Sequence, residues 1–148
     1  MRVMMMLKAN KKTETGVLPT KAHLAAMGKL MEDMAKAGVL LAADGLQPSA
    51  KGKRVTFSGG KITSVIDGPF TETKELIAGF CLIQAASWDE VMEWGKRFAE
   101  VEREGETELR PLFEASDFPE EIFPAEDAAR EQELRDELQR KAGKAATY

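Results

Sequence analysis

The chain has 148 residues, 43% of them hydrophobic and 31% charged. That is enough to bury a core without a metal or a disulfide, and too apolar for a disordered chain. Its single cysteine, Cys81, rules out an internal disulfide and a zinc site built of several thiolates. The net charge is −4, with 11 Lys and Arg against 4 Asp and Glu over residues 1–66 and the acidic excess after them. This split reads either as one mixed surface of interleaved strands or as a basic face for a phosphorylated ligand or self-complementary halves. An acidic chain without a basic, aromatic-studded stripe is not expected to bind nucleic acid. The apolar start stops at Lys8, and no run approaches 18 apolar residues, so neither a signal peptide nor a membrane span is expected and the cytoplasm is the expected compartment.

Arg2–Lys8 reads as a first strand, apolar on both faces and so central. Residues 9–18 read as a loop, after which Pro19 and Thr20 open a helix. Leu24, Met27, Met31 and Met34 form its stripe, flanked by Leu30, and Gly38 ends it. A short strand follows at 39–42. Two runs, 53–58 and 61–66, flank Gly59-Gly60 and predict a hairpin. Another strand is expected at 77–84. Ser87 and Glu90 form a capping box for a second helix with Val91, Trp94 and Phe98 as its stripe. The last strand spans 107–114, and Pro111 predicts that it lies at an edge or is bulged there. Residues 118–124 read as an irregular linker. A charged helix follows over 125–144, with i,i+4 pairs Glu126–Arg130, Glu131–Arg135, Asp136–Arg140 and Glu137–Lys141.

The order is taken as β-α-β-β-β-α-β, a split βαβ unit with one added strand. The expected class is α+β, with a domain over 1–116 and a linker and C-terminal surface helix over 117–148. Both helices would cover one sheet face. The other face, with Val3, Met5, Phe57, Phe80 and Leu82 as its candidates, would stay apolar, and a homodimer packed sheet to sheet would cover it.

Chemistry concentrates after the hairpin, in Asp67-Gly68-Pro69-Phe70-Thr71-Glu72-Thr73-Lys74-Glu75. Asp67 has two readings. It either bonds the backbone of its own turn or is a partly buried carboxylate acting as base or ligand anchor. Phe70 is a core anchor or a pocket wall. Glu72, Lys74 and Glu75 form a solvated run, or Glu72 and Glu75 are carboxylates that converge on Asp67, with Lys74 placed to pair with either. Lys8 and Arg110 are candidates to hold an anionic group. His23, the only histidine, stands in the first turn of the first helix. Cys81, mid-strand, reads as buried and inert. No metal-ligand spacing, phosphate loop or nucleophile elbow occurs, so neither metal nor cofactor is expected.

The segment Val65–Glu75, the methionine-rich first strand, Ala37–Leu41 before Gly45-Leu46, the Ser58–Lys61 turn and Glu108–Pro111 together resemble the YCII-related, or DGPF-domain, family over roughly residues 2–114. The resemblance implies a ferredoxin-like fold that dimerises as an α+β barrel. In the wider group a His-Asp pair has been suggested to act, and His23 with Asp67 is the pair this chain offers. Some relatives carry a histidine in the Gly45–Pro48 loop, where this chain has Gln47. Two functions stay open. One is a small-molecule binder or small enzyme acting on a small organic acid, with a cleft lined by Phe70, Trp94 and Met31. The other is a non-catalytic dimeric accessory module in which the motif is a structural turn and the C-terminal helix recruits a partner.

Overall fold

The computed structural model describes residues 1–71 and 74–145, which divide into two compact units, the first ending at Leu112 and the second beginning at Phe113. In the first unit the elements are β1 (Arg2–Lys8), α1 (Lys11–Glu14), α2 (Lys21–Lys36), β2 (Leu40–Gly45), a 3-10 turn (Ser49–Lys51), β3 (Lys53–Ser58), β4 (Lys61–Asp67), β5 (Ile77–Gln84), α3 (Trp88–Glu102) and β6 (Thr107–Pro111). Four strands form one sheet in the order β2-β5-β1-β6, with each neighbouring pair antiparallel. With α2 and α3 as the two crossovers, this is the ferredoxin-like split βαβ arrangement. The order β-α-β-β-β-α-β counts one strand too few between the helices, although both runs of the hairpin, 53–58 and 61–66, are predicted strands. Both hairpin strands, β3 and β4, are additional to the split βαβ unit and pair with each other as a separate ribbon.

The central position of β1 follows from its composition. It pairs with β5 on one side and β6 on the other, so its N–H and C=O groups are used on both edges. At the edge, β6 ends at Pro111, which has no N–H to give to a ladder. At the hairpin, Gly59 and Gly60 both take positive φ, 56° and 76°, as a primed turn requires.

Local capping sets the helix starts. Thr20 accepts the His23 N–H at 3.1 Å and opens α2, with Pro19 just outside. Ser87 Oγ accepts the Glu90 N–H at 3.3 Å, while the Glu90 carboxylate takes the N–H of Ala86, one residue earlier than a capping box requires, at 2.7 Å. The expected loop 9–18 contains α1, a single turn capped by the Asn10 side chain, which accepts from the amides of Lys12 and Thr13. One polar turn has no apolar periodicity to announce it.

The core lies between the sheet and the two long helices: Val3 and Met5 from β1, Cys81 and Ile83 from β5, Leu30 and Met34 from α2, and Val91 from α3. Val3 and Met5 therefore face the helices, not the open side expected for them. The register decides this, because it sets Val3 opposite Ile83 and Met5 opposite Cys81, and partners across a ladder share a face. A strand apolar at every position offers no alternation from which to read its parity. The open face carries Met4 and Met6 beside Leu82 and Phe80, all half-buried. Phe57, expected on that face, stands on the ribbon instead, 73% exposed.

In the second unit a 3-10 turn (Ala115–Asp117) precedes α4 (Ala125–Ala145). The expected irregular linker is organised by aromatic contacts: Phe118 lies 5.0 Å from Phe113 and 5.8 Å from Phe123, centroid to centroid. On α4 the pairs Glu126–Arg130 and Glu137–Lys141 each close at 2.6 Å, and Glu131 holds Arg135. Asp136 instead accepts from the Gln132 amide at 2.9 Å, and Arg140 turns to the Asp136 carbonyl.

Burial separates two leucines of one helix. Leu30→Ala is expected to cost about 2–5 kcal/mol, because it opens a cavity in the core. Leu24→Ala, at a position 57% exposed despite its place in the predicted stripe, is expected to stay within about 0.5 kcal/mol of the parent. Urea denaturation of the two variants checks this, and equal losses would mean that the stripe as a whole is buried.

Candidate functional site

The turn that follows β4 is fixed by its neighbours. The Gly68 N–H donates to Gly52 C=O at 3.1 Å and the Phe70 N–H to Ser49 Oγ at 3.0 Å. The Ser49 hydroxyl donates in turn to the Glu14 carboxylate, which also accepts the Ser49 N–H at 3.1 Å. Glu14 is supplied by α1, so the short helix missed in the sequence is what anchors this turn. Gly68 precedes a cis peptide to Pro69 and is pressed against the 3-10 turn: a Cβ there would lie 1.8 Å from the Ser49 carbonyl oxygen. Phe70 is half-buried, with the Arg54 guanidinium 4.2 Å above its ring centroid and Gly52 beside its edge.

Asp67 closes β4 opposite Lys53 and forms an ion pair with it, its side chain 74% exposed. The amides of Gly68 and Phe70, which one reading assigns to it, take Gly52 and Ser49 as acceptors. The buried carboxylate of the other reading is not found either. His23 has its Nε2 3.3 Å from Glu102 Oε1, a link between α2 and the end of α3. His23 and Asp67 are thus each engaged with another residue, and the structure does not join them as a pair. Glu72 lies outside the described residues. Lys74 and Glu75 are exposed.

The structure does bring together Lys8 and Arg110. Lys8 Nζ lies 2.9 Å from Glu108 Oε2, and Arg110 Nε lies 3.8 Å from Glu108 Oε1. Glu108 and Arg110 stand opposite Met6 and Met4, so the charged group borders the half-buried apolar floor of Met4, Met6, Phe80 and Leu82. The hydrogen bond from Lys8 holds the Glu108 carboxyl below its ordinary range, and the same bond raises Lys8 above its own. The charges of Glu75 and Glu106 act on Lys8 in the same sense. Arg110 is held more loosely, with 71% of its side chain exposed. Glu108 is the member that sequence reasoning missed. Its signal is the alternation Glu108-Leu109-Arg110, which sets Leu109 against the core and both charges on the other face.

Of the residues expected to line a cleft, Met31 and Trp94 pack against the core of one chain, Trp94 carries the Arg97 guanidinium 4.8 Å from its ring, and Phe70 belongs to the turn after β4. Cys81 is buried and its thiol pKa is pushed up to about 11 by that burial, which leaves it a core side chain and not a nucleophile. Among the described residues no group of three or more His, Cys, Asp or Glu is placed to hold a metal ion, and no helix is long and apolar enough to cross a membrane.

The model of the YCII-related domain matches residues 1–116. The chain belongs to the YCII-related domain family. Within reach of it is an uncharacterized protein of Rhizobium meliloti (strain 1021), 40% identical over 68 residues, which are 45% of this chain and 54% of that protein. The chain thus spans about half the length of that relative. Among solved structures, 5-chloro-2-hydroxyhydroquinone dehydrochlorinase (TftG) from Burkholderia phenoliruptrix AC1100, in complex with 2,5-dihydroxybenzoquinone, aligns with a TM-score of 0.40 at 16% identity, over 80% of this chain and 100% of that one.

Two outcomes follow from this geometry. Gly68→Ala forces backbone against backbone at Ser49 and should cost more than about 1 kcal/mol. The neighbouring exposed Thr71→Ala should leave the melting temperature unchanged, and equal melting of all three proteins would show that the turn is not pressed on its neighbour. Glu108 has a lowered folded pKa, so its contribution to stability is present above the unfolded value and lost as pH falls through the folded one. The melting-temperature gap between the parent and Glu108→Gln should be full at neutral pH and close as pH drops below 4.5, the ordinary glutamate value. A gap that persists in acid would mean that the carboxylate charge is not its source.

Proposed function

We propose that the protein binds a small organic acid on the open face of the β2-β5-β1-β6 sheet, in a chamber closed when a second copy stacks sheet to sheet as a dimeric α+β barrel. One observation carries this reading: the apolar floor of Met4, Met6, Phe80 and Leu82 is bordered by Arg110, a guanidinium with most of its surface free. Small-molecule sites are mostly apolar with a few placed polar groups, and a guanidinium matches a carboxylate with two parallel hydrogen bonds. Lys8 is fixed by Glu108 and supplies background positive charge, whereas Arg110 is free to turn to a ligand. The half-buried floor is what a second copy would cover, since an apolar sheet face left in water favours association.

Binding is supported ahead of acid–base catalysis on this face. A general base works best with a pKa near the operating pH, and Lys8 holds Glu108 on the acidic side of its ordinary value. Asp67, exposed and paired with Lys53, lacks the desolvated setting that tunes a catalytic carboxylate.

Light scattering at micromolar concentration should give the mass of two chains. With benzoate as probe, calorimetric titration should show binding to the parent and to Asp67→Asn alike, and an affinity lower by about tenfold or more in Arg110→Met, the worth of one charge-assisted hydrogen bond. Loss of binding in Asp67→Asn with Arg110→Met unaffected would move the site to the turn after β4.

A further inference from the structure

The open face of the sheet has a second edge, formed by β2 on the side away from β6. The register sets Ala43 opposite Cys81 and Asp44 opposite Phe80. Ala43 packs against the core, as Cys81 does, so alternation turns Asp44 to the open side with Phe80. One row across that face therefore runs Asp44, Phe80, Met6, Glu108, and Arg110 ends the row beside it, next to Met4. Asp44 is exposed, and among the described residues no hydrogen bond or ion pair engages its carboxylate. It differs in this from Glu108, which Lys8 holds.

Arg110 and Asp44 thus stand at opposite edges of one apolar floor, a cation at one and an anion at the other. Three strand spacings separate β6 from β2, about 14 Å. A long arginine side chain can cover part of that span and a short aspartate little of it, so a ligand that meets both is elongated, with its polar groups at opposite ends. Its carboxylate belongs at the guanidinium. An ionised aspartate only accepts hydrogen bonds, so the far end of the ligand must donate one. Between the two, the Phe80 ring and the thioethers of Met4 and Met6 favour an aromatic ring, through ring–ring and sulfur–ring contacts. Resting on the open-face reading, we propose that the ligand is an aromatic acid with a hydroxyl or amino group para to its carboxylate, the carboxylate on Arg110 and the donor on Asp44. Asp44 then selects as well as binds. A second carboxylate at that end would meet like charge, and an unsubstituted ring would leave the aspartate desolvated and unpaired in the closed chamber.

Calorimetric titration of the full chain with benzoate, 4-hydroxybenzoate and terephthalate tests this. The parent should bind 4-hydroxybenzoate about tenfold more tightly than benzoate, the worth of one hydrogen bond to a charged group, and terephthalate more weakly than benzoate. Asp44→Ala, at an exposed position of an edge strand, should bind benzoate and 4-hydroxybenzoate alike and regain terephthalate. Equal affinity of the parent for benzoate and 4-hydroxybenzoate overturns the proposal, and so does a preference for the hydroxyl that survives in Asp44→Ala. If Arg110→Met still weakens benzoate in either case, the open-face reading stands and only this ligand class is lost. Affinities unchanged in Arg110→Met, or no binding of any of the three acids, overturn both.

Discussion

Val3 and Met5 of β1 stand against Ile83 and Cys81 of β5, and Leu30, Met34 and Val91 seal them from the helix side. This single layer of contacts fixes the parity of both central strands, because side chains alternate with a period of two. Once the inner set is committed to α2 and α3, Met4, Met6, Phe80 and Leu82 must face the other way. A sheet with helices on one side then presents an apolar floor to whatever comes next. The open face is thus a consequence of core packing and not a separate feature, and a one-residue slip of β1 would exchange floor and core.

The charged border of that floor follows from the same alternation in β6. Leu109 goes inward, so Glu108 and Arg110 go outward, beside Lys8 across the ladder from β1. Three charges on one short edge would be ordinary surface if each were solvated alone. Here Glu108 accepts from Lys8 at close range and leaves Arg110 at 3.8 Å, so the positive charge is unevenly engaged. That unevenness gives the edge a direction: a fixed ion pair at one point, and beside it a cation able to take an incoming carboxylate.

Much of this was legible in the residues, and what was not has specific causes. The ferredoxin-like order, the two amphipathic helices, the edge position of β6 and the Gly59-Gly60 turn all rest on strong local signals: periodicity, proline and paired glycines. The parity of β1 was not legible, since Met4-Met5-Met6 offers nothing polar to point outward. Nor was the role of α1, which is a polar turn whose importance lies in one long-range bond from Glu14 to Ser49. Glu108 was passed over because its meaning depends on Lys8, a hundred residues earlier, and sequence distance hides a ladder partner. The pairing of His23 with Asp67 failed for the complementary reason: Glu102 and Lys53 stand at their sides in the fold, although neither neighbours them in the chain.

The Asp67–Phe70 motif takes on a different meaning once its contacts are placed. Its residue types fit the turn they occupy: glycine because no Cβ fits against Ser49, phenylalanine because its ring lies between Arg54 and Gly52, and aspartate because it ties β4 to Lys53 of β3 at the base of the ribbon. A two-stranded ribbon with an exposed apolar face has too little burial to hold itself upright. Its conformation must be imposed at its base, and the chain of bonds from Glu14 through Ser49 to Phe70 is the element that does so. The motif thus sets the base from which the β3–β4 ribbon leaves the turn.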